Sequence, residues 1–416
     1  MENDLFRSTN TTALVICALG VGLALSARAA PAPAYAELLR VAEGAAPRLV
    51  ESEANVRAAQ GQAEQAGARP NPTLDFLSEN IGSRNNGVAE QQNTLTLSQP
   101  LELGGKRGAR VAAGGAEVTA AQARASQARA DFAYDLALAY ATAEAAQKRV
   151  AILTDDLDRA REDLRAAKAL VEAGKEAEVR AVQAEAAAAG AEADLETARA
   201  EGTEALVRLS AMVGAPQAFT EIGPSLLTTA PGFSKPAGDP APNAPALLVA
   251  QAEREAAARR VAVERTRAVP DLTVSVGART FAGRDDTALV AGVSAPLPLF
   301  DRNRGAVRAA NAQFAASEAR LRAARLDAEA SWRTATAQVL ASATRLRAAA
   351  QAESAAREGY RLAHLGYEGG KTSLLEVSGA RRALTEAQGR LLDAQVARVR
   401  AEAQLARLAG RISFGA

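Results

Sequence analysis

The chain carries one pattern twice. Lys175 sits in the run EAGK and Lys371 in EGGK, 196 residues apart, and Gly214 and Gly410 stand at the same separation. The run SQPLELGGKRGARV from Ser98 returns as SAPLPLFDRNRGAV from Ser294. An interval this long marks a duplicated structural half and not a unit of a short solenoid. The expected units are residues 30–214 and 246–416. They are joined by 215–245, where prolines recur from Pro216 to Pro245 and a linker is expected.

Ahead of the first half, residues 1–29 have the layout of a secretory signal. Arg7 supplies a basic start, Ala13 to Leu25 an apolar run too short to span a bilayer, and Ala27-Arg28-Ala29 a cleavage site. An uncleaved anchor is the alternative. The single cysteine, Cys17, lies inside that run, so a processed chain holds neither a disulfide nor a thiolate metal site.

Each half is expected to fold as a helix, a pair of strands and a long helical hairpin. The first helix runs from Tyr35 to Ala68 with a break near Gly44 and a restart at Pro47, a residue tolerated in a first turn. Strands follow at Thr73–Ile81 and Asn93–Leu101, across the polar loop GSRNNG. In the second of them Thr94, Thr96 and Ser98 alternate with Leu95 and Leu97, a period of two that leaves one face wet and one greasy. No proline occurs between Gly104 and Ala173. There Val111, Val118, Ala125 and Phe132 recur every seven residues, as do Val150, Leu157, Leu164 and Val171, with Leu153, Ala160 and Ala167 as a second seam. The acids and arginines from Asp155 to Asp163 are placed on the outer faces of that helix. A return helix covers Glu176 to Met212. The second half repeats this order. A helix spans Ala246–Arg267, strands span Asp271–Phe281 and Thr287–Leu297 across the turn AGRDD, and a long helix spans Arg304–Gly366. The last helix, Thr372–Ala409, has the small seam Ala380, Ala387, Ala394, Ala401 and Leu408. Alanine dominates the composition and aromatics make up only 4%, which suits close-packed helix pairs better than a thick globular core.

Four strands of this length match tilted strands in a membrane barrel. Four strands cannot close one, and an open edge is not viable in lipid, so several copies have to share a barrel. The other reading is a soluble hairpin pair capping a coiled coil. Formal net charge is +1, which gives no argument for a nucleic-acid partner.

The layout resembles that of the TolC-like outer-membrane efflux proteins over nearly all of residues 30–416. Asn71-Pro72-Thr73-Leu74 is similar to that family's approach to its first strand. Ser98-Gln99-Pro100-Leu101-Glu102-Leu103-Gly104-Gly105-Lys106-Arg107 and Pro298-Leu299-Phe300-Asp301-Arg302-Asn303 resemble the branch serving heavy-metal (cobalt–zinc–cadmium) efflux. The resemblance implies a mainly α fold, a helical barrel hanging in the periplasm from a twelve-stranded β-barrel in the outer membrane, completed by a homotrimer. It also implies docking to a periplasmic adaptor and an inner-membrane pump of the resistance–nodulation–division type, driven by protons.

Candidate functional residues gather at the two hairpin tips, the ends farthest from the strands. Gly174-Lys175 and Gly369-Gly370-Lys371 are expected to meet the adaptor, although a glycine with positive φ explains such a turn by itself. Glu376 lies one turn past the second tip and corresponds by the repeat to Arg180. The resemblance implies an acidic lining at the position of Glu376, and opposite charges alternating round a narrow mouth form a latch. Two solvated surface charges are the plainer reading. Gly379 stands where the family often carries a second acid. Tyr367, before the second turn, either bridges neighbouring helices or simply packs.

No cofactor and no resident metal are expected. His364 is the one histidine, it is expected to pack near the tip, and the carboxylates are scattered without a ligand cluster. Enzyme motifs are absent: there is no nucleophile elbow and no phosphate loop, since Gly104-Gly105-Lys106-Arg107 lacks the required frame. The leading function is an exit duct for divalent heavy-metal cations. The alternatives are a duct for drugs or type I secreted protein, and a soluble periplasmic coiled-coil scaffold.

Overall fold

The computed structural model describes residues 30–82, 90–229, 244–282 and 285–414. The expected secretory signal, most of both hairpin loops and the centre of the proline-rich segment lie outside them.

The order helix, strand pair, helical hairpin occurs twice. α1 (Tyr35–Ala45) and α2 (Pro47–Ala66) lead to β1 (Thr73–Glu79) and β2 (Gln92–Leu101), then to α3 (Lys106–Glu172) and α4 (Glu178–Val213). A short α5 (Leu226–Thr229) precedes α6 (Pro245–Thr266), β3 (Leu272–Phe281), β4 (Thr287–Ser294), α7 (Arg304–Glu368) and α8 (Leu374–Leu408). The restart at Pro47 falls as expected, and the break comes at Ala46, two residues past Gly44. α3 has 67 residues and so measures about 100 Å at 1.5 Å per residue. Alanine gives it propensity throughout, and no proline interrupts its hydrogen-bond ladder.

The strands form one antiparallel sheet in the order β1-β2-β3-β4. Its register sets Phe76 opposite Leu95, Leu95 opposite Ala278 and Ala278 opposite Leu289. One face therefore carries Leu74, Phe76, Leu95, Leu97, Val274, Val276, Leu289 and Val293, all exposed in the single chain. The other face is polar: Arg279 donates to Thr94 Oγ1 at 3.0 Å and pairs with Glu79 at 3.8 Å. This is the greasy-out, wet-in alternation of a membrane barrel wall. Among the described residues β1 and β4 each keep an unpaired edge.

The largest core lies at mid-length of the helices. Tyr35, Leu38, Phe132, Leu136, Tyr140, Leu209, Leu392 and Val399 meet there. Tyr35 donates to the carbonyl of Ala133 at 2.9 Å and packs edge-on against Tyr140 and Phe414. Burial pushes the phenols of Tyr35 and Tyr140 up to about 12. The described part of the proline-rich segment is no loose linker. Ile222, Leu226 and Leu227 are buried in this core, Ile222 bridges to Ala32, and α3 holds the segment through side chains. Tyr140 donates to the Pro224 carbonyl at 2.7 Å, and Gln147 Oε1 accepts from the Ile222 amide at 2.8 Å. The buried Glu144 accepts from the amides of Leu226 and Leu227 at 2.8 and 3.1 Å, and from the Ser225 hydroxyl. The apolar residues between the prolines, not the prolines, decide where this stretch lies.

The heptad seams hold for Phe132, Leu157, Ala160 and Ala167, and for Ala387, Ala394 and Ala401 in α8, all buried. Val111 is 44% exposed. The expected outward placement of the charges in Asp155–Asp163 is overturned at two positions. Asp156 is buried and the Asp163 side chain nearly so. A heptad reading supposes one partner helix, whereas α3 packs against α2, α4, α6 and α8, so positions that face away from α4 are covered by others.

Candidate functional site

The helical hairpins end in matched turns. Gly174 and Gly370 take φ of +68° and +70°, the left-handed conformation in which glycine carries no Cβ penalty. The amide of Lys175 closes onto the Leu170 carbonyl at 2.9 Å and that of Lys371 onto Gly366 at 2.7 Å. Gly369 differs from the expectation, for its φ is −81°. The sharp turn needs only one left-handed residue, and Gly370 supplies it. Lys175 and Lys371 are exposed at the two tips.

Beyond the turns the repeats diverge. Ser373 caps α8, and Glu376 reaches back to the Ser373 amide at 2.8 Å, a reciprocal capping box. The residue before α4, Ala177, offers no side-chain cap. Glu376 is exposed and its carboxylate faces the start of its own helix, where the positive end of the helix dipole favours it. Arg180 is half-buried and donates to Gln183 Oε1 at 3.2 Å. Within one chain the two residues expected to latch are each tied to their own helix.

A second cluster, one to two turns farther from the tips, was not legible as a site. Arg381 on α8 is 2% exposed. Its Nη1 donates to Asp156 Oδ1 at 2.5 Å and its Nε to Asp163 Oδ2 at 3.3 Å, both on α3. Thr385 donates to Asp156 Oδ1 at 2.7 Å and Ser378 to Asp163 Oδ2 at 3.2 Å. Burial drives the Asp163 carboxyl above its usual range, against the opposing pull of Arg381. Each buried charge has a partner and further hydrogen bonds, which a buried ion pair requires. The cluster ties α3 to α8 across more than 200 residues of sequence. The one signal in the sequence is an arginine next to Ala380 of the small-residue seam of α8.

An aromatic layer lies above it. Tyr360 is half-buried, Arg159 sits 5.0 Å over its ring, and His364 stacks on it at 5.9 Å. The His364 ring packs on Tyr360 while the residue stays exposed to solvent, and its Nε2 lies 3.6 Å from Glu368. Tyr367 is partly buried, and burial, with the carboxylates of Asp163 and Glu176 adding to it, raises its phenol pKa. That environment is built within one chain.

Among the described residues no group of three or more metal-ligating side chains gathers, and no helix is long and apolar enough to cross a membrane. What the chain does supply is an arc of membrane-type sheet, polar on one face, standing on helices about 100 Å long with charged tips.

A chain of this kind is a wall segment of an outer-membrane exit channel. The Outer membrane efflux protein family model matches residues 38–215 and 241–411, and the chain belongs to that family. It is 45% identical over 401 residues, 95% of its length and 92% of the relative's, to the nickel-cobalt-cadmium resistance protein NccC of Alcaligenes xylosoxydans xylosoxydans. It is 46% identical over 308 residues to the nickel and cobalt resistance protein CnrC of Cupriavidus metallidurans, 72% of each chain. The cobalt-zinc-cadmium resistance protein CzcC of that organism is 31% identical, with 85% of this chain and 84% of that one covered. Among solved structures, CusC aligns with a TM-score of 0.79 at 18% identity over 91% and 92% of the two chains. The channel OprN aligns at 0.77 and 22% over 90% and 89%. The sheet accordingly belongs to the outer membrane and the helices extend into the periplasm.

Proposed function

We propose that three copies of this chain close a twelve-stranded barrel and a helical tube, which form the exit duct of a tripartite efflux system for divalent heavy-metal cations. The observation that carries the cargo is the similarity, near full-length for the first and over 72% of each chain for the second, to proteins named for nickel-cobalt-cadmium and for nickel and cobalt resistance. Closure by copies is supported by the open edges of β1 and β4 and by the apolar outer face, which lipid would cover. The duct is read as a conduit and not an enzyme. Its partners are two further copies, outer-membrane lipid, a periplasmic adaptor and a proton-driven inner-membrane pump. Residues 1–29 direct export and are removed, and the two halves, 30–214 and 246–416, each supply half of a subunit's arc.

The tips at Gly174-Lys175 and Gly369-Gly370-Lys371 dock the adaptor. Glu376 and Arg180, carried one turn inside them, alternate round the aperture in the trimer. An ionised carboxylate has acceptor capacity beyond one cap bond, so Glu376 serves its own helix and a neighbouring Arg180 at once. Tyr367 packs beside them at the second tip. A strain lacking this chain should lose tolerance to cobalt, nickel and cadmium and keep its tolerance to dyes and detergents. Loss of dye tolerance with metal tolerance intact would replace the cargo by drugs.

A further inference from the structure

His364 is the chain's one histidine. It stands four residues before Glu368, which puts both side chains on one face of α7. The same two positions of the first hairpin, 196 residues earlier, hold Lys168 and Glu172. A lysine ammonium has only donors, whereas a neutral imidazole presents a lone pair. The His364 Nε2 lies 3.6 Å from Glu368 Oε1. With bonds of about 2.1 Å to nitrogen and oxygen, donors at that separation subtend about 118° at a shared ion, against about 109° in a regular tetrahedron. The ring is held in place, for it stacks on Tyr360 at an interplanar angle of 28°, and Arg159 sits over the Tyr360 ring. Nearby acids are already engaged: Glu353 and Glu358 with Arg357 and Arg361, and Asp163 with Arg381 and Ser378. Glu368 faces the imidazole instead. α7 ends at Glu368, where the free carbonyls of a helix C-terminus favour positive charge. Both His364 and Glu368 are open to solvent.

We infer that His364 Nε2 and the Glu368 carboxylate together chelate a divalent transition-metal ion at the tip of α7, with water filling its remaining positions. No third protein ligand gathers there among the described residues. Two ligands hold an ion weakly, which suits a conduit whose ion has to leave again. An imidazole beside a carboxylate suits cobalt, nickel or zinc, and does not suit magnesium, which takes oxygen ligands and keeps its water. The site stands on this geometry. That its ion is the cargo rests on the duct proposed above.

A single histidine makes the test direct. In the full chain, purified as its native oligomer without a polyhistidine tag, carbethoxylation of imidazole by diethyl pyrocarbonate reports on His364 alone. Co2+ should slow that reaction severalfold, and Mg2+ at the same concentration should not. Glu368→Gln keeps the side chain's size and removes its charge. It should raise the Co2+ concentration needed for half-protection by about tenfold or more, since losing a ligand costs at least as much as losing an outer-shell partner. Glu358→Gln, an acid of the same helix outside the pair, should leave that concentration near the parent value. An imidazole that Co2+ does not protect overturns the chelate, and so does an equal response of the parent and Glu368→Gln, or of the two glutamine variants. The assay involves no transport. An unprotected imidazole in a chain that confers metal tolerance removes the site and keeps the duct, whereas a protected one in a chain that confers dye tolerance alone keeps the site and removes its link to cargo.

Discussion

The guanidinium of Arg381 lies 2.5 Å from the carboxylate of Asp156, two side chains that the chain separates by 225 positions. That contact fixes the last helix of the second half onto the long helix of the first, near the end that faces the cell interior. Arg381→Ala leaves Asp156 and Asp163 buried without their counter-charge and should cost about 3–5 kcal/mol, the usual penalty for removing one member of a buried pair. Thermal or chemical unfolding of the detergent-solubilised protein measures it. A loss below about 1 kcal/mol, the range of an exposed pair, would show that the contact carries little of the fold.

Asp163 behaves differently from its neighbour in the cluster. Its carboxyl is held above the ordinary 3.8 because burial outweighs Arg381. The folded chain therefore holds this proton more tightly than the unfolded one. The associated stability is complete below the unfolded pKa and is lost as pH rises through the raised folded value. Asp163→Asn should leave stability at neutral pH unchanged or slightly higher and flatten its dependence in that acidic window. A large destabilisation at neutral pH would contradict the sign.

The second tip separates two glycines that look alike in sequence. Gly370 has φ of +70° and Gly369 −81°. Gly370→Ala should cost about 1 kcal/mol for forcing a Cβ into the left-handed region. Gly369→Ala, whose Cβ would sit 3.4 Å from the Leu365 carbonyl oxygen, should cost at most a few tenths. Hydrogen exchange at the amides of Lys371 and Thr372 reads the difference locally.

Glu144 joins the mid-length core to the segment between the halves. Glu144→Ala would strip acceptors from the Leu226 and Leu227 amides and should cost about 1–3 kcal/mol as buried donors lose their partners. Limited proteolysis should then cut between 215 and 229 well before the parent protein is cut there. Tyr140→Phe, which removes the bond to the Pro224 carbonyl, should act in the same direction by about 1 kcal/mol.

The aperture reading sets Glu376 against Arg180. Glu376→Ala with Arg180→Ala should raise the conductance of the closed trimer in a planar bilayer. Ser373→Ala dismantles the capping box while keeping the carboxylate, so it should leave conductance near the parent value. Equal effects of the two variants would reduce Glu376 to a helix cap.

Much of the fold was legible because punctuation and period are local. Proline at 47 and 245, glycine at 174, 214, 370 and 410, and the alternation of Thr94 to Leu97 locate helices, turns and a strand within a few residues. The tip glycines followed from the same signals. What escaped was the consequence of many neighbours. Asp156 and Asp163 look like surface charges until α8 arrives. The stretch after Pro216 reads as linker until Tyr140, Glu144 and Gln147 are seen to bind it. Helical period predicts which residues share a face, and it does not say which of several helices, hundreds of residues away, will cover that face.

The unpaired edges of β1 and β4 impose a sequence of events. A lone subunit carries two rows of backbone donors and acceptors that water satisfies and hydrocarbon does not. It is better accommodated outside the bilayer than within it, and its greasy sheet face is a hazard for as long as it waits. Pairing those edges is therefore a condition that any passage of this sheet into lipid has to meet, and the cost of leaving them bare is set by the backbone and not by any side chain.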